Sequence, residues 1–209
     1  MSFRTAPTII DRTYEDVYPA VSVRQSTVFS ERRWLLAKRT SVGLVVITNL
    51  PGMGTVAVLQ RRGIWNFEKG KLESWPGGCQ VTAHGGVEEG EDPLRTLQRE
   101  VGEELGDAMR SVLFEDDPKL RPLIEVDRHE GEKEDVITYA VKVEPDVFKK
   151  YVRLSPDSGG LSFVAPEGVA DIQDLRTFDK AIGVTDLRTI AMFEDEKRAV
   201  ATAFSHFGV

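Results

Sequence analysis

Glu100, Glu103 and Glu104 stand at i, i+3 and i+4 in the run RTLQREVGEELGD, residues 95–107. On a helix that spacing puts all three carboxylates on one face. Like charges at this spacing cost a few tenths of a kcal/mol per pair in water, and more where the dielectric is lower. Two arrangements relieve the repulsion: protons are taken up, or cations sit among the oxygens. Hard divalent cations that prefer oxygen ligands, above all Mg²⁺, suit the second. Arg99 precedes Glu100 and lies four residues before Glu103, where its forked guanidinium can pin a carboxylate. The acids are also concentrated. Residues 85–107 hold eight acids and two bases, a net −6, against −7 for the whole chain.

Three acids on a helix face are in most proteins simply solvated, so the weight falls on their neighbours. Asp92 is a good N-cap, and Pro93 suits the first helical position, where no amide donor is needed. Gly106 is a natural stop. Between them Leu94, Leu97, Val101 and Leu105 recur at helical spacing and form a narrow apolar stripe, with the acids beside it. Gly85, Gly86 and Gly90 precede the helix, where they allow tight turns and close backbone approach. Gly102 sits in mid-helix, at a cost of roughly 1 kcal/mol relative to alanine that a merely solvated helix has no need of.

These residues resemble the Nudix box, G-x5-E-x7-R-E-U-x-E-E-x-G-U, where U is a bulky aliphatic residue. Gly85 opens it, Glu91 follows, and then come Arg99-Glu100-Val101, Glu103-Glu104 and Gly106. Every charged and glycine position matches. The last aliphatic position is Asp107, which questions the packing of the helix end and not the acids. The resemblance implies an α/β fold, an α/β/α sandwich with a mixed β-sheet. It also implies metal-dependent hydrolysis of a nucleoside diphosphate linked to another group. Carried over, Glu100, Glu103 and Glu104 are expected metal ligands for Mg²⁺ or Mn²⁺. The Gly85 carbonyl is a further ligand, Arg99 orients the glutamates, and Glu91 is structural or an outer ligand. The resemblance also implies a remote base from a loop. Glu130, Glu132, Glu134, Asp135 and Asp157 are the candidates, each more commonly a solvated loop acid.

ADP-ribose or an ADP-sugar is the expected substrate. A nucleoside triphosphate pyrophosphatase is the alternative, and a non-catalytic Nudix-fold nucleotide sensor or interaction module is a rival from another class. Pro122, 15 residues beyond Asp107, is similar to a proline of ADP-ribose pyrophosphatases. It also suits the opening of a strand. Cys79 lies five residues before His84, which fits poorly with the isomerases of this fold. Arg61 and Arg62, at the end of a strand, are candidates for phosphate binding. Trp65, Phe67 and Trp75 could stack on a base, although core packing is the commoner fate of such aromatics.

The elements that must position the acids can also be read. Residues 42–63 form two strands around the turn Leu50 to Gly54, and Leu44 to Ile47 is apolar on both faces, as in a buried strand. Residues 64–78 read as a loop and 79–83 as a short strand. Residues 122–143 form a hairpin with a charged loop, Glu130 to Asp135, and Leu161 to Val164 is another strand. Pro166 to Leu175 is expected to be a short helix, and Thr185 to Phe207 carries apolar residues at near-helical spacing. The division expected is an N-terminal extension over 1–40 and the Nudix domain over 41–209. The extension is similar to the dimer-forming arms of ADP-sugar enzymes, which implies a homodimer.

Composition narrows the setting. With 209 residues, 41% hydrophobic and 29% charged, the chain suits one domain with an extension. Its net −7 excludes duplex nucleic acid as the main partner, and a small nucleotide bridged by a metal is the expected ligand. One cysteine cannot form an internal disulfide, which fits a reducing cytoplasm. No run approaches the ~20 apolar residues of a membrane span, and the start lacks an apolar signal core.

Overall fold

The structure is a computed structural model, and it describes residues 38–67, 69–115 and 121–209. The expected extension over 1–40 lies outside them except for Lys38, Arg39 and Thr40, the last two of which open the first strand. The elements follow in order as β1 (Arg39–Leu50), β2 (Gly54–Arg62), β3 (Trp65–Asn66), β4 (Lys71–Leu72), β5 (Cys79–Gln80), β6 (Ala83–Gly86), α1 (Pro93–Leu105) and α2 (Asp107–Phe114). Then come β7 (Ile124–Glu130), β8 (Glu134–Lys142), α3 (Pro145–Tyr151), β9 (Ser158–Val164), β10 (Gln173–Asp174), β11 (Ala191–Met192) and α4 (Glu194–His206).

A seven-stranded mixed sheet runs β5-β2-β1-β8-β7, with β6 also paired to β1 and β9 to β2. β1 and β8 are parallel, and the other pairs are antiparallel. β1 is apolar on both faces because both are covered. Val42, Leu44 and Val46 face α1, α2 and α3 through Leu97, Val101, Leu105, Met109 and Phe148. Val45 and Ile47 face the opposite layer, where Val200, Ala203 and Phe204 of α4 close the core. The result is helix, sheet and helix in three layers.

One feature of the sheet places the box. Along one edge, the first half of β1 pairs with β6 (Leu44 with Ala83) and the second half with β2 (Val46 with Val58). The two neighbours diverge at a fork, which strands backbone groups inside the protein. The buried Thr82 fills it: its Oγ1 accepts from the Val46 amide at 2.8 Å and donates to the Val58 carbonyl at 2.5 Å. A buried amide without a partner costs ~1–3 kcal/mol, so Thr82 closes the fork at little net cost. Beyond it, β6 carries His84, Gly85 and Gly86 under α1.

Several sequence expectations need correction. Pro166–Asp171 and Leu175–Thr177 are 3₁₀ turns separated by β10, not one short helix. α4 begins at Glu194 and not near Thr185, because Ala191 and Met192 pair with β10. Phe193 then starts the helix, its amide donating to the Glu196 carboxylate at 3.4 Å. Two helices were not expected. Gly106 does stop α1, at a φ of 94°, but α2 restarts at the next residue. The "loop" of 64–78 contains the small β3–β4 hairpin. The hairpin of 122–143 is present as β7 and β8.

Leu105 is fully buried where α1 meets the sheet. Leu105→Ala should lower unfolding free energy by about 2–5 kcal/mol, read from urea denaturation. A loss near zero would mean that this end of α1 does not anchor the helix.

Candidate functional site

α1 forms as its sequence dictates. The Asp92 carboxylate accepts from the Leu94 and Arg95 amides at 2.9 and 3.3 Å, and Leu97, Val101 and Leu105 are buried. That orientation fixes where the acids go. The side chain of Glu100 is 12% exposed and that of Glu103 is 58% exposed. Glu104 turns under the helix, where one carboxylate oxygen accepts from the His84 amide at 2.9 Å and the other lies 3.4 Å from the Gln80 amide. The backbone of β6 and the acids of α1 are thus in direct contact. A Cβ at Gly85 would overlap the Glu100 carboxyl, so glycine there leaves the room that this carboxyl occupies.

Arg99 holds the outer side. One guanidinium nitrogen donates to Glu100 at 2.7 Å and to Glu103 at 3.2 Å. The other donates to the Gly86 carbonyl at 3.2 Å and to Glu91 at 3.4 Å. Glu91 also accepts from the Thr96 hydroxyl at 2.7 Å, and Thr96 is buried. Glu91 therefore ties the entry loop to the helix and to Arg99. It does not line the cavity that Glu100, Glu103 and Glu104 line.

That cavity has a volume of about 610 Å³. Its acidic wall is α1 and its floor is His84, Gly85 and Gly86. Arg62, Asn66, Phe67, Lys69, Glu73 and Asp157 also line it. Burial pushes the Glu104 carboxyl up to about 8. The Glu100 charge pushes the same way, against the His84 amide and Arg62, which hold it down. Burial pushes the His84 imidazole down to about 4, helped by Arg62, so it is neutral near pH 7.

The two adjacent arginines have different fates because a strand alternates its side chains. The Arg61 guanidinium is spent on the backbone, donating to the carbonyls of Gly77, Leu187 and Thr189 at 2.8, 2.6 and 3.1 Å. Arg62 approaches Glu73 at 3.5 Å beside the cavity, and its Nε has no hydrogen-bond partner among the described residues. Of the aromatics, Trp75 packs edge-on against Phe193 with centroids 5.3 Å apart, whereas Trp65 and Phe67 are exposed. Among the loop acids, Asp157 lines the cavity, while Glu130, Glu132, Glu134 and Asp135 do not. Asp135 instead pairs with Lys38 at 2.7 Å. Sequence reasoning passed over Gln60, Gln80 and Glu73, which line the cavity, although polar residues on otherwise apolar strands were the available signal for the first two. It also passed over Glu196, buried near the first turn of α4, where burial pushes its carboxyl up to about 7.

The donors offered to an ion are carboxylate and carbonyl oxygens, which suit a hard divalent cation. Among the described residues no three such side chains already enclose an ion-sized space. One Arg99 nitrogen instead reaches both Glu100 and Glu103, marking a point where positive charge is shared between those two acids.

No curated protein sequence matches this chain. Solved structures do. A mutT/nudix family protein from Listeria innocua is 18% identical, with a TM-score of 0.50, covering 81% of this chain and 93% of that one. The NUDIX domain of Shewanella oneidensis NrtR, solved with ADP ribose, is 12% identical, with a TM-score of 0.50, covering 82% and 89%. A C. elegans Ap4A hydrolase binary complex is 16% identical, with a TM-score of 0.46, covering 81% and 96%. At these identities the likeness is one of fold. The NUDIX domain family model matches residues 37–181, well over half the chain and including the whole box on β6 and α1. The chain therefore belongs to the Nudix family of pyrophosphohydrolases.

Proposed function

We propose that this chain hydrolyses the diphosphate linkage of a nucleoside diphosphate derivative with Mg²⁺ or Mn²⁺, ADP-ribose or an ADP-sugar being the leading substrate. The observation that carries the reading is the cavity itself, whose lining brings Glu100, Glu103 and Glu104 together with Arg62 and Lys69. Its volume of about 610 Å³ lies in the range of small-ligand sites. ADP ribose in the NrtR domain points the same way for the substrate class.

Glu100, Glu103, Glu104 and the Gly85 carbonyl would hold the metal. When bound, such an ion neutralises diphosphate oxygens and lowers the pKa of a water. The remaining work falls to the chain. Arg99 orients Glu100 and Glu103. The His84 amide fixes Glu104. Arg62 and Lys69 offer positive charge to the substrate phosphates. Of the loop acids expected as a base, Asp157 alone lines the cavity.

Three outcomes test this. A screen of ADP-ribose, ADP-sugars and nucleoside triphosphates with Mg²⁺ or Mn²⁺ should show turnover of at least one. Tight binding with no hydrolysis under any metal would make the chain a sensor. Arg99→Met should lower metal affinity or kcat by about 10–100-fold, the usual effect of removing an orienting partner. Unchanged kinetics would remove that role.

The third outcome concerns pH. The folded pKa of Glu104, about 8, lies above its ordinary value. The stability it contributes is fully present below that ordinary value and is lost as pH rises through about 8. Cation binding needs the carboxylate, so it gains where the metal-free protein loses. Millimolar Mg²⁺ should therefore raise Tm more above pH 8 than near neutrality. Glu104→Gln should abolish this difference. It should only reduce the metal-free decline, because Glu196 is shifted in the same direction. A Mg²⁺ effect equal at both pH values would exclude Glu104 as a ligand.

A further inference from the structure

The β3–β4 hairpin is two residues long on each side, too short to hold itself together in water. It nevertheless leaves Trp65, Phe67 and Leu72 42%, 66% and 62% exposed. Polar bonds fix it from below. Asn66 donates to Glu73 at 3.1 Å, and the Lys69 amide closes the turn on the Asn66 side chain at 2.7 Å. The Phe67 amide donates to the Asp157 carboxylate at 3.0 Å, and the Asp157 carbonyl accepts from the Gly63 amide at 3.1 Å. Trp65 and Leu72 oppose each other across the hairpin, which gives each an apolar neighbour. Phe67 belongs to none of the apolar clusters among the described residues. It lines the same cavity as the box acids and Lys69.

We propose that Phe67 is the surface on which the substrate's nucleobase stacks, and that Asp157 is the positioning residue that holds it there. This rests on the nucleotide reading above. An aromatic ring left in water at a cavity rim, on a backbone pinned at its own amide, is preorganised for a flat π-face. The chemistry does not discriminate strongly among bases, since every base offers such a face. The subsite is therefore base-tolerant, and Lys69, which lines the same cavity, offers its charge to the phosphate that follows. Asp157 acts as a hydrogen-bond acceptor, a role that needs an oxygen and not a charge.

The test is equilibrium titration of the full chain, with Mg²⁺ present, by AMP and by ribose 5-phosphate, which lacks the base. The wild type should bind AMP about tenfold or more tightly than ribose 5-phosphate. Phe67→Ala should erase that gap without changing ribose 5-phosphate affinity, and Phe67→Trp should restore it. Asp157→Ala should weaken AMP binding, whereas Asp157→Asn, which keeps the acceptor, should not. In turnover, Phe67→Ala should raise KM for the best substrate of the screen about tenfold and leave kcat within about twofold. AMP affinity unchanged in Phe67→Ala overturns the stacking assignment while the hydrolase reading stands. A wild type that binds neither ligand and hydrolyses no nucleotide removes the nucleotide reading, and this assignment with it. Asp157→Asn that weakens AMP as much as Asp157→Ala overturns the positioning role.

Discussion

Repulsion among the carboxylates of Glu100, Glu103 and Glu104 is the constraint around which the site is built. One turn of helix brings them together, and the apolar stripe of Leu97, Val101 and Leu105 prevents that turn from rotating them into water. Each acid is then quieted differently. Glu103 is largely solvated, and Glu100 shares an Arg99 nitrogen with it. Glu104 accepts from the His84 amide, lies near a distant Gln80 amide and feels the Arg62 charge, yet burial still disfavours its ionised form. The protein thus uses solvent, a fixed cation and a proton within one helical turn. All three are compatible with exchange for a divalent ion, because none commits the oxygens to an apolar contact.

The sheet makes this possible through the fork beside β1. If β2 and β6 were one continuous strand, the glycines would lie flat in the ladder and could not pass under α1. Thr82 lets the edge divide without stranding the Val46 amide, and β6 can then leave at its own angle. Gly85 completes the contact, since any side chain there would displace Glu100.

The box was legible because its chemistry is local. Cap, stripe and acids all lie within α1 and the loop before it, with Gly85 and Gly86 at the end of the strand that precedes that loop, so they can be related without tertiary knowledge. The buried β1 and the β7–β8 hairpin were legible for the same reason. What was not legible depends on partners distant in sequence. The tail at 185–190 carries helical spacing, yet the backbone beyond it at Ala191 and Met192 is taken by β10, so α4 starts later. Arg61 and Arg62 look alike in sequence. Only the third dimension shows that the Arg61 guanidinium is taken up by the carbonyls of Leu187 and Thr189, more than a hundred residues away, whereas Arg62 approaches Glu73, although both border the cavity.

Asp107, the one departure from the box pattern, follows from what comes next in the chain. An aliphatic residue there would cover the end of α1. Here the chain restarts as α2 at that very position, and an acid in a first helical turn is favoured by the helix dipole. Asp107 also meets Arg110 at 3.3 Å, one turn on. The apolar cover is supplied two residues later by Met109, fully buried in the same cluster as Leu105. The motif position and the packing function have been separated, with the first given to a helix start and the second moved along the chain. Gly102 fits the same arrangement, because a Cβ there would stand 3.3 Å from the Arg110 side chain, tighter than ordinary contact. The mid-helix glycine thus faces α2, where a Cβ would ask the Arg110 side chain to give by a few tenths of an ångström.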